Sequence, residues 1–116
     1  MTEKAQRIAI AEACGWTAEQ DSNGYWRAVN QKHGNAVELW LSEQNVWSVG
    51  IPDYLNDLNA MHEAEKIFNH AQYCRYISEL CTLTITDNNS MYMATAAQRV
   101  EAFLRTIGKW TTNQNK

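Results

Sequence analysis

The 116-residue sequence has few of the residues that mark a specialised fold: three cysteines, one proline and five isolated glycines. An odd, small number of cysteines argues against a disulfide framework and indicates a reducing compartment. The glycines form no phosphate-binding loop, and no apolar run approaches the ~20 residues of a membrane span or forms a signal peptide at the start. We therefore expect a cytoplasmic protein without disulfides that does not enter a membrane.

An excess of positive charge is also missing. Thirteen acidic and ten basic side chains give a net charge of −3, and lysine and arginine occur singly between Lys4 and Lys116. Nucleic-acid binding usually needs several cations on one face, so a nucleic-acid partner is not expected. A basic protein stays open as a partner.

The composition that remains is that of an ordinary globular domain, with 45% hydrophobic and 10% aromatic residues. A chain of this length buries enough surface for one core without metals or disulfides. We expect a single domain over residues 1–110 and a frayed polar tail over residues 111–116.

Apolar residues at three- and four-residue steps predict the helices. The first is capped by Thr2 and ends at Gly15, and a second begins near Asp53 or Asn56. Another covers residues 70–81, and the last opens with a capping box at residues 95–98 and ends at Gly108. The apolar stripe of the second consists of Leu55, Leu58, Met61, Ala64 and Phe68, and that of the last of Ala97, Val100, Phe103, Leu104 and Ile107.

Aromatic and β-branched segments at residues 25–29, 36–41 and 46–49 predict three short strands. Their connections are short enough for antiparallel hairpins, which gives a three-strand meander. Residues 82–86 alternate strictly and predict a fourth strand. The predicted fold class is therefore α+β, with a short antiparallel sheet packed between or against three to four helices.

No catalytic or metal-binding set is complete in the sequence. His62 and Glu63 begin like a zinc-protease helix, but Lys66 stands where the second histidine is required. His70, Cys74 and Cys81 share one side of a predicted helix without ligands elsewhere, so buried thiols and a surface histidine are the preferred interpretation.

Other reactive sets are equally incomplete. Asp53 and Asp57 lie one turn apart, which suits helix capping better than a cation site. There is no nucleophile turn, and His33, His62 and His70 lie in unrelated contexts. We expect no catalytic, metal or cofactor site, and a protein that is not an enzyme.

Tryptophan is abundant for this length, and three of the five lie on the predicted sheet. If helices cover both faces of the sheet, these rings belong to the core; if one face is open, they form an aromatic binding surface. The core interpretation is preferred because the apolar faces of the helices must be buried against something. The five are Trp16, Trp26, Trp40, Trp47 and Trp110.

Two segments, residues 51–60 and 94–104, resemble the phage ABA sandwich domain family of small phage- and prophage-encoded proteins. The resemblance covers roughly residues 51–110 and, more loosely, the opening helix. It implies a sheet between helix layers and brings no established activity or catalytic residues. The residues that carry it are Pro52, Tyr54, Asp57, Ala94, Thr95, Ala96, Arg99 and Leu104.

These observations predict a non-enzymatic phage accessory protein that binds a host protein in the host cytoplasm, with inhibition of an antiviral defence system as one such role. The alternative is a protein that binds or sequesters a small nucleotide-like ligand, using sheet aromatics and an arginine such as Arg27 or Arg99. Homo-oligomerisation is compatible with either. No residue of a partner interface is predicted.

Overall fold

The computed structural model describes residues 1–30, 32, 34–35, 38–86 and 93–111. The described part has an α+β fold of five helices, a π-helical turn and a small antiparallel sheet. In chain order the elements are α1 Glu3–Ala13, β1 Trp16–Gln20, β2 Trp26–Asn30, β3 Gly34–Asn35, α2 Glu43–Asn45, the π-helical turn Val46–Gly50, α3 Leu58–Glu65, α4 His70–Thr86 and α5 Ala96–Thr106.

Helix α1 confirms the prediction at both ends. The Thr2 hydroxyl accepts a hydrogen bond from the Ala5 amide at 3.0 Å, so one of the free amides of the first turn is satisfied. Gly15 has a φ of +91°, a conformation that side-chain-bearing residues rarely adopt, and the chain turns there into the sheet. Ile10 and Ala11 are fully buried.

The sheet is built on a hairpin of β1 and β2, in which Trp16 lies opposite Asn30 and Gln20 opposite Trp26. Strand β1 was not predicted, because three of its five residues are polar. Thr17 and Glu19 lie on a face of the hairpin that is exposed to solvent, so their polarity is compatible with a strand.

The predicted meander is not what the structure shows. Strand β2 occupies the first predicted segment, and the two-residue strand β3 pairs with its end. Of the second segment, Ala36 and Val37 lie outside the described residues, and Trp40 forms a single bridge to Trp26. His33 and residues 112–116 of the predicted tail are likewise not described.

The predicted strand at residues 46–49 is wrong, because these residues form the π-helical turn. Ser42 caps the short helix α2 that leads into it, and Val46 is fully buried. Gly50 closes the turn directly against Trp40: a Cβ atom there would lie 3.0 Å from the indole nitrogen. Burial of Val46 and this close contact outweigh the strand preference of the segment.

The predicted fourth strand is also wrong, because α4 continues through residues 82–86. Tyr76, Leu80 and Thr84 recur every four residues and are all buried, so the helix keeps one face in the core. The Thr84 hydroxyl donates to the Leu80 carbonyl at 3.0 Å, which satisfies this buried polar group inside the helix.

Helix α3 begins later than predicted. Its cap is Asp57, whose carboxylate accepts from the amides of Asn59 and Ala60 at 3.0 and 3.2 Å, and not Asp53 or Asn56. As a consequence Leu58, at the first helical position, is 42% exposed, although the rest of the stripe faces the core.

Helix α5 confirms most of its prediction. Thr95 and Gln98 form the reciprocal capping box, and Glu101 pairs with Arg105 at 2.8 Å. Val100, Phe103 and Leu104 are fully buried, whereas Ala97 is exposed. Gly108 ends the helix with a φ of +75°.

The core lies between the inner face of the sheet and the helices. Phe68 packs on Phe103 and Tyr76, with ring centroids 4.7 and 5.3 Å apart. All five tryptophans are half-buried and pack against this core, as the preferred interpretation predicted, whereas Tyr25 is exposed.

Candidate functional site

A groove of about 430 Å³ lies where α3 ends and α4 begins. The reciprocal hydrogen bonds between Asn69 and Gln72, at 2.8 and 3.0 Å, fix the start of α4 beside the groove. The lining residues are His62, Glu65, Lys66, Phe68, Asn69, His70 and Tyr73.

Glu65 connects the groove to the interior of the molecule. Its Oε2 atom accepts a hydrogen bond from Nη1 of Arg99 at 3.0 Å and another from the Tyr76 hydroxyl. The other oxygen, Oε1, lies 3.3 Å from Nδ1 of His62. The Glu65 and Arg99 side chains are only 10% and 13% exposed, so this network joins α3, α4 and α5 largely out of water.

Two members of the network, Tyr76 and Arg99, have raised pKa values. Burial raises the pKa of Tyr76, and the neighbouring Glu65 raises it further, so the phenol stays a neutral hydrogen-bond donor. Burial is the largest single influence on Arg99 and opposes its charge, but the hydrogen bond to Glu65 and the electrostatic interactions with Tyr76 and Glu65 together outweigh it and raise the pKa of Arg99. Glu65 is thus held by one cation and one neutral donor, an arrangement suited to positioning more than to proton transfer.

The wall of the groove has a different chemistry. His62, Lys66 and His70 are exposed, and each can donate a hydrogen bond to an anion. Tyr73 is 45% exposed and Phe68 is half-buried, so aromatic surface lies between the donors. The wall of the groove therefore combines hydrogen-bond donors with aromatic surface.

The structure separates the residues that the sequence singled out. Lys66 pairs with Glu63 at 2.7 Å on an exposed helical face, in agreement with the preferred interpretation of the zinc-protease-like segment. Nε2 of His70 and Sγ of Cys74 are 3.7 Å apart, and both residues are exposed. The surface histidine is as predicted, but the prediction of buried thiols is wrong for Cys74, and Cys81 is only half-buried. Among the described residues, no group of three histidine, cysteine or acidic side chains is placed to hold a metal ion.

The aspartates are separated as well. Asp57 caps α3, whereas Asp53 accepts from Asn56 at 3.1 Å and lies 3.7 Å from Arg7. Arg27, the other arginine considered for ligand binding, lies on β2, away from the helices that form the groove.

Sequence reasoning missed Glu65 and Tyr76 as members of this site. A signal was present, because Glu65 follows Met61 by four residues and therefore shares the buried side of α3. A carboxylate on an apolar stripe predicts a buried partner, but the sequence does not show that the partner is Arg99, 34 residues further on.

A second surface lies on the sheet. Trp26 and Trp40 face each other across the bridge and pack against the core, so the residues flanking them lie on the opposite face. There Tyr25, Leu39 and Leu41 are 41%, 48% and 80% exposed. We call these three residues the open sheet face.

Comparison with known proteins assigns no family to the chain. No family model matches it, and neither a curated protein nor a solved structure does. None of the helices in the described part is long and apolar enough to cross a membrane.

Proposed function

We propose that this protein is a non-enzymatic phage accessory protein that binds a host protein through the open sheet face. Three large exposed side chains, Tyr25, Leu39 and Leu41, flank the bridge between Trp26 and Trp40. Grouped apolar side chains of this kind are typical of protein interfaces, in which aromatic and aliphatic anchors carry most of the binding energy. This surface is the observation that supports the proposal.

The phage context rests on the resemblance in residues 51–60 and 94–104. In the structure these motif residues have architectural roles: Asp57 and Thr95 cap helices, and Tyr54 and Leu104 are buried. These residues build the scaffold of the fold. We therefore assign the action on the host, such as inhibition of an antiviral defence component in the host cytoplasm, to the surface that this scaffold presents.

The test is affinity purification of the tagged chain from host lysate, with Leu41→Ser as the interface variant. Ile85→Ser is the matched control, because Ile85 on α4 is 73% exposed and lies outside the open sheet face. We expect one host protein to co-purify with the wild type and the control. Leu41→Ser should weaken its binding by about tenfold or more, as for a central interface residue.

Phage plating on the same host gives the functional measurement. A phage that encodes the wild type or the control should plate more efficiently than one that encodes Leu41→Ser. Equal capture by all three chains, or no stable partner together with unchanged plating, would contradict the proposal.

A second candidate function is supported by a separate observation, the groove between α3 and α4. We propose as the alternative that this groove binds a nucleotide-like ligand. His62, Lys66 and His70 supply donors for phosphate, and Tyr73 supplies a ring for stacking.

Thermal-shift screening against nucleotides tests this alternative. A ligand at a hundred times its dissociation constant adds roughly 2.7 kcal/mol to the free energy of unfolding. Tyr73→Leu should abolish the shift, and Tyr25→Leu, also an exposed tyrosine, should leave it intact. No shift with any nucleotide, or a shift that Tyr73→Leu retains, rules out the groove.

A further inference from the structure

A second cavity, of about 160 Å³, lies between the end of α1, the start of β1 and α3. Ala60, Glu63, Ala64 and Ile67 line it at helical spacing, so it occupies the opposite side of α3 from His62 and Glu65. Trp16 and Pro52 contribute further apolar surface. It is therefore separate from both the groove and the open sheet face.

The polar groups at the wall of this cavity interact with one another. The Tyr54 hydroxyl lies close enough to the Cys14 thiol and to the Trp16 indole for each to influence its pKa. Burial raises the pKa of Cys14 to about 11 and also raises the pKa of Tyr54, so both groups are neutral at neutral pH. An occupant therefore meets a neutral thiol and a neutral phenol at this part of the wall.

The charged lining residues do not change the character of the interior. Lys32 and Glu63 are both exposed, which places their charges in solvent at the mouth of the cavity. The surface that an occupant contacts inside is formed by the indole, the proline ring and aliphatic side chains. Such a surface favours an apolar occupant over water, since water needs polar partners.

The volume indicates the size of that occupant. A dry, apolar engineered cavity of about 150 Å³ in another protein binds benzene, so a cavity of this size and lining accommodates one six-membered ring. We infer that this cavity is a binding site for a single small, neutral hydrocarbon ring, supplied by a free aromatic molecule or by an aromatic side chain of a bound protein.

Methyl NMR of the full chain, titrated with toluene, tests the inference. The methyl resonances of Ala60, Ala64 and Ile67 should shift as toluene is added, and the shifts should reach a plateau that fits binding at one site. Ala60→Leu fills the cavity and should weaken toluene binding at least about tenfold, since the space for the ring is lost. Ala71→Leu, at an exposed position of α4, is the matched control and should bind like the wild type.

A second measurement keeps the test valid if Ala60→Leu does not fold. Toluene should slow the alkylation of Cys14 in the wild type without affecting Cys74, which is exposed and remote from the cavity. Saturable shifts together with protection of Cys14 support the inference. Absence of saturable shifts, or shifts that persist unchanged in a folded Ala60→Leu variant, overturns it.

The two sources of the ring are distinguished by a second probe, N-acetylphenylalanine amide, which carries the ring on a blocked peptide backbone. Binding of both probes shows that the mouth admits a side chain attached to a chain, and binding of toluene alone assigns the site to free molecules. These titrations use no host protein, so their outcome is independent of the test of the open sheet face.

Discussion

At the scale of single residues, Glu65 and Arg99 are the pair whose loss should matter most. Each is nearly buried, and each is the other's charged partner at 3.0 Å. Removing one partner leaves the other charge in a poorly solvated place, which costs far more than the same change at the surface. The pair Glu101 and Arg105, whose side chains are 24% and 37% exposed, provides the more solvated comparison within the same helix as Arg99.

We therefore expect Arg99→Ala to lower the free energy of unfolding by about 3 kcal/mol, and Arg105→Ala by less than about 1 kcal/mol. Urea denaturation of the two variants measures both values. In the double variant Glu65→Gln with Arg99→Met, much of the loss should be recovered because no unpaired charge remains. Equal effects of the two single variants would contradict a buried role for Arg99.

Cys14 gives a prediction of pH dependence. Its pKa is raised from 9.0 to about 11 in the folded protein. Between these values the unfolded chain loses the thiol proton and the folded chain keeps it, so the stabilising contribution is complete below pH 9 and is lost as the pH rises towards 11. Chemical denaturation across this range should show falling stability.

The matched variant for this prediction is Cys14→Ser, whose hydroxyl does not titrate in this range. The fall in stability should become shallower in the variant. The buried tyrosines add their own decline above about pH 10, and the variant retains most of it because burial is the largest cause of both raised tyrosine pKa values. An identical profile in wild type and variant would show that Cys14 is not the group responsible.

At the scale of elements, the end of α4 shows a local pattern overruled by its surroundings. Residues 82–86 alternate like a strand, but Thr84 continues a buried four-residue period with Tyr76 and Leu80. The alternation of residues 82–86 was misleading because the buried residue, Thr84, is a threonine, a residue type that is common in strands. Its hydroxyl is hydrogen-bonded within the helix, so Thr84 can be buried there.

Replacing Ile85 by alanine should change the free energy of unfolding in opposite directions in a helix and in a strand. It is 73% exposed, so its replacement loses little burial. In a helix, Ile85→Ala gains about 0.4 kcal/mol of stability from the higher helix propensity of alanine, whereas in a strand the same change would destabilise. Urea denaturation decides between them, with Leu80→Ala as the buried control that should lose about 2–4 kcal/mol.

At the scale of the whole molecule, one core joins the sheet to the helices. Trp16 and Trp26 of the hairpin and Trp110 after α5 pack against the same cluster that contains Phe103. We expect a single cooperative transition, in which tryptophan fluorescence and far-UV circular dichroism report the same midpoint. Phe103→Ala should shift both midpoints together by removing about 3–5 kcal/mol of stability. Separate midpoints would show that the hairpin and the helices unfold independently.

The proposed binding surfaces also depend on contacts across the whole molecule. Tyr25 and Leu41 become neighbours only through the bridge between Trp26 and Trp40. The groove needs the end of α3 next to the start of α4, and the lining residue Glu65 is held in place by Arg99 from α5. None of these contacts is encoded in local spacing, so the sequence could name Arg99, His62 and His70 as candidates without placing them together.

What the sequence determined by itself was local. Thr2, Thr95 and Gly108 fixed helix boundaries because caps and glycine stops act within one turn of the chain. The tertiary structure alone decided that residues 46–49 and 82–86 are helical, that the polar β1 is a strand, and that Glu65 meets Arg99. Those outcomes depend on burial against distant residues, whose free energy exceeds the small differences in local propensity.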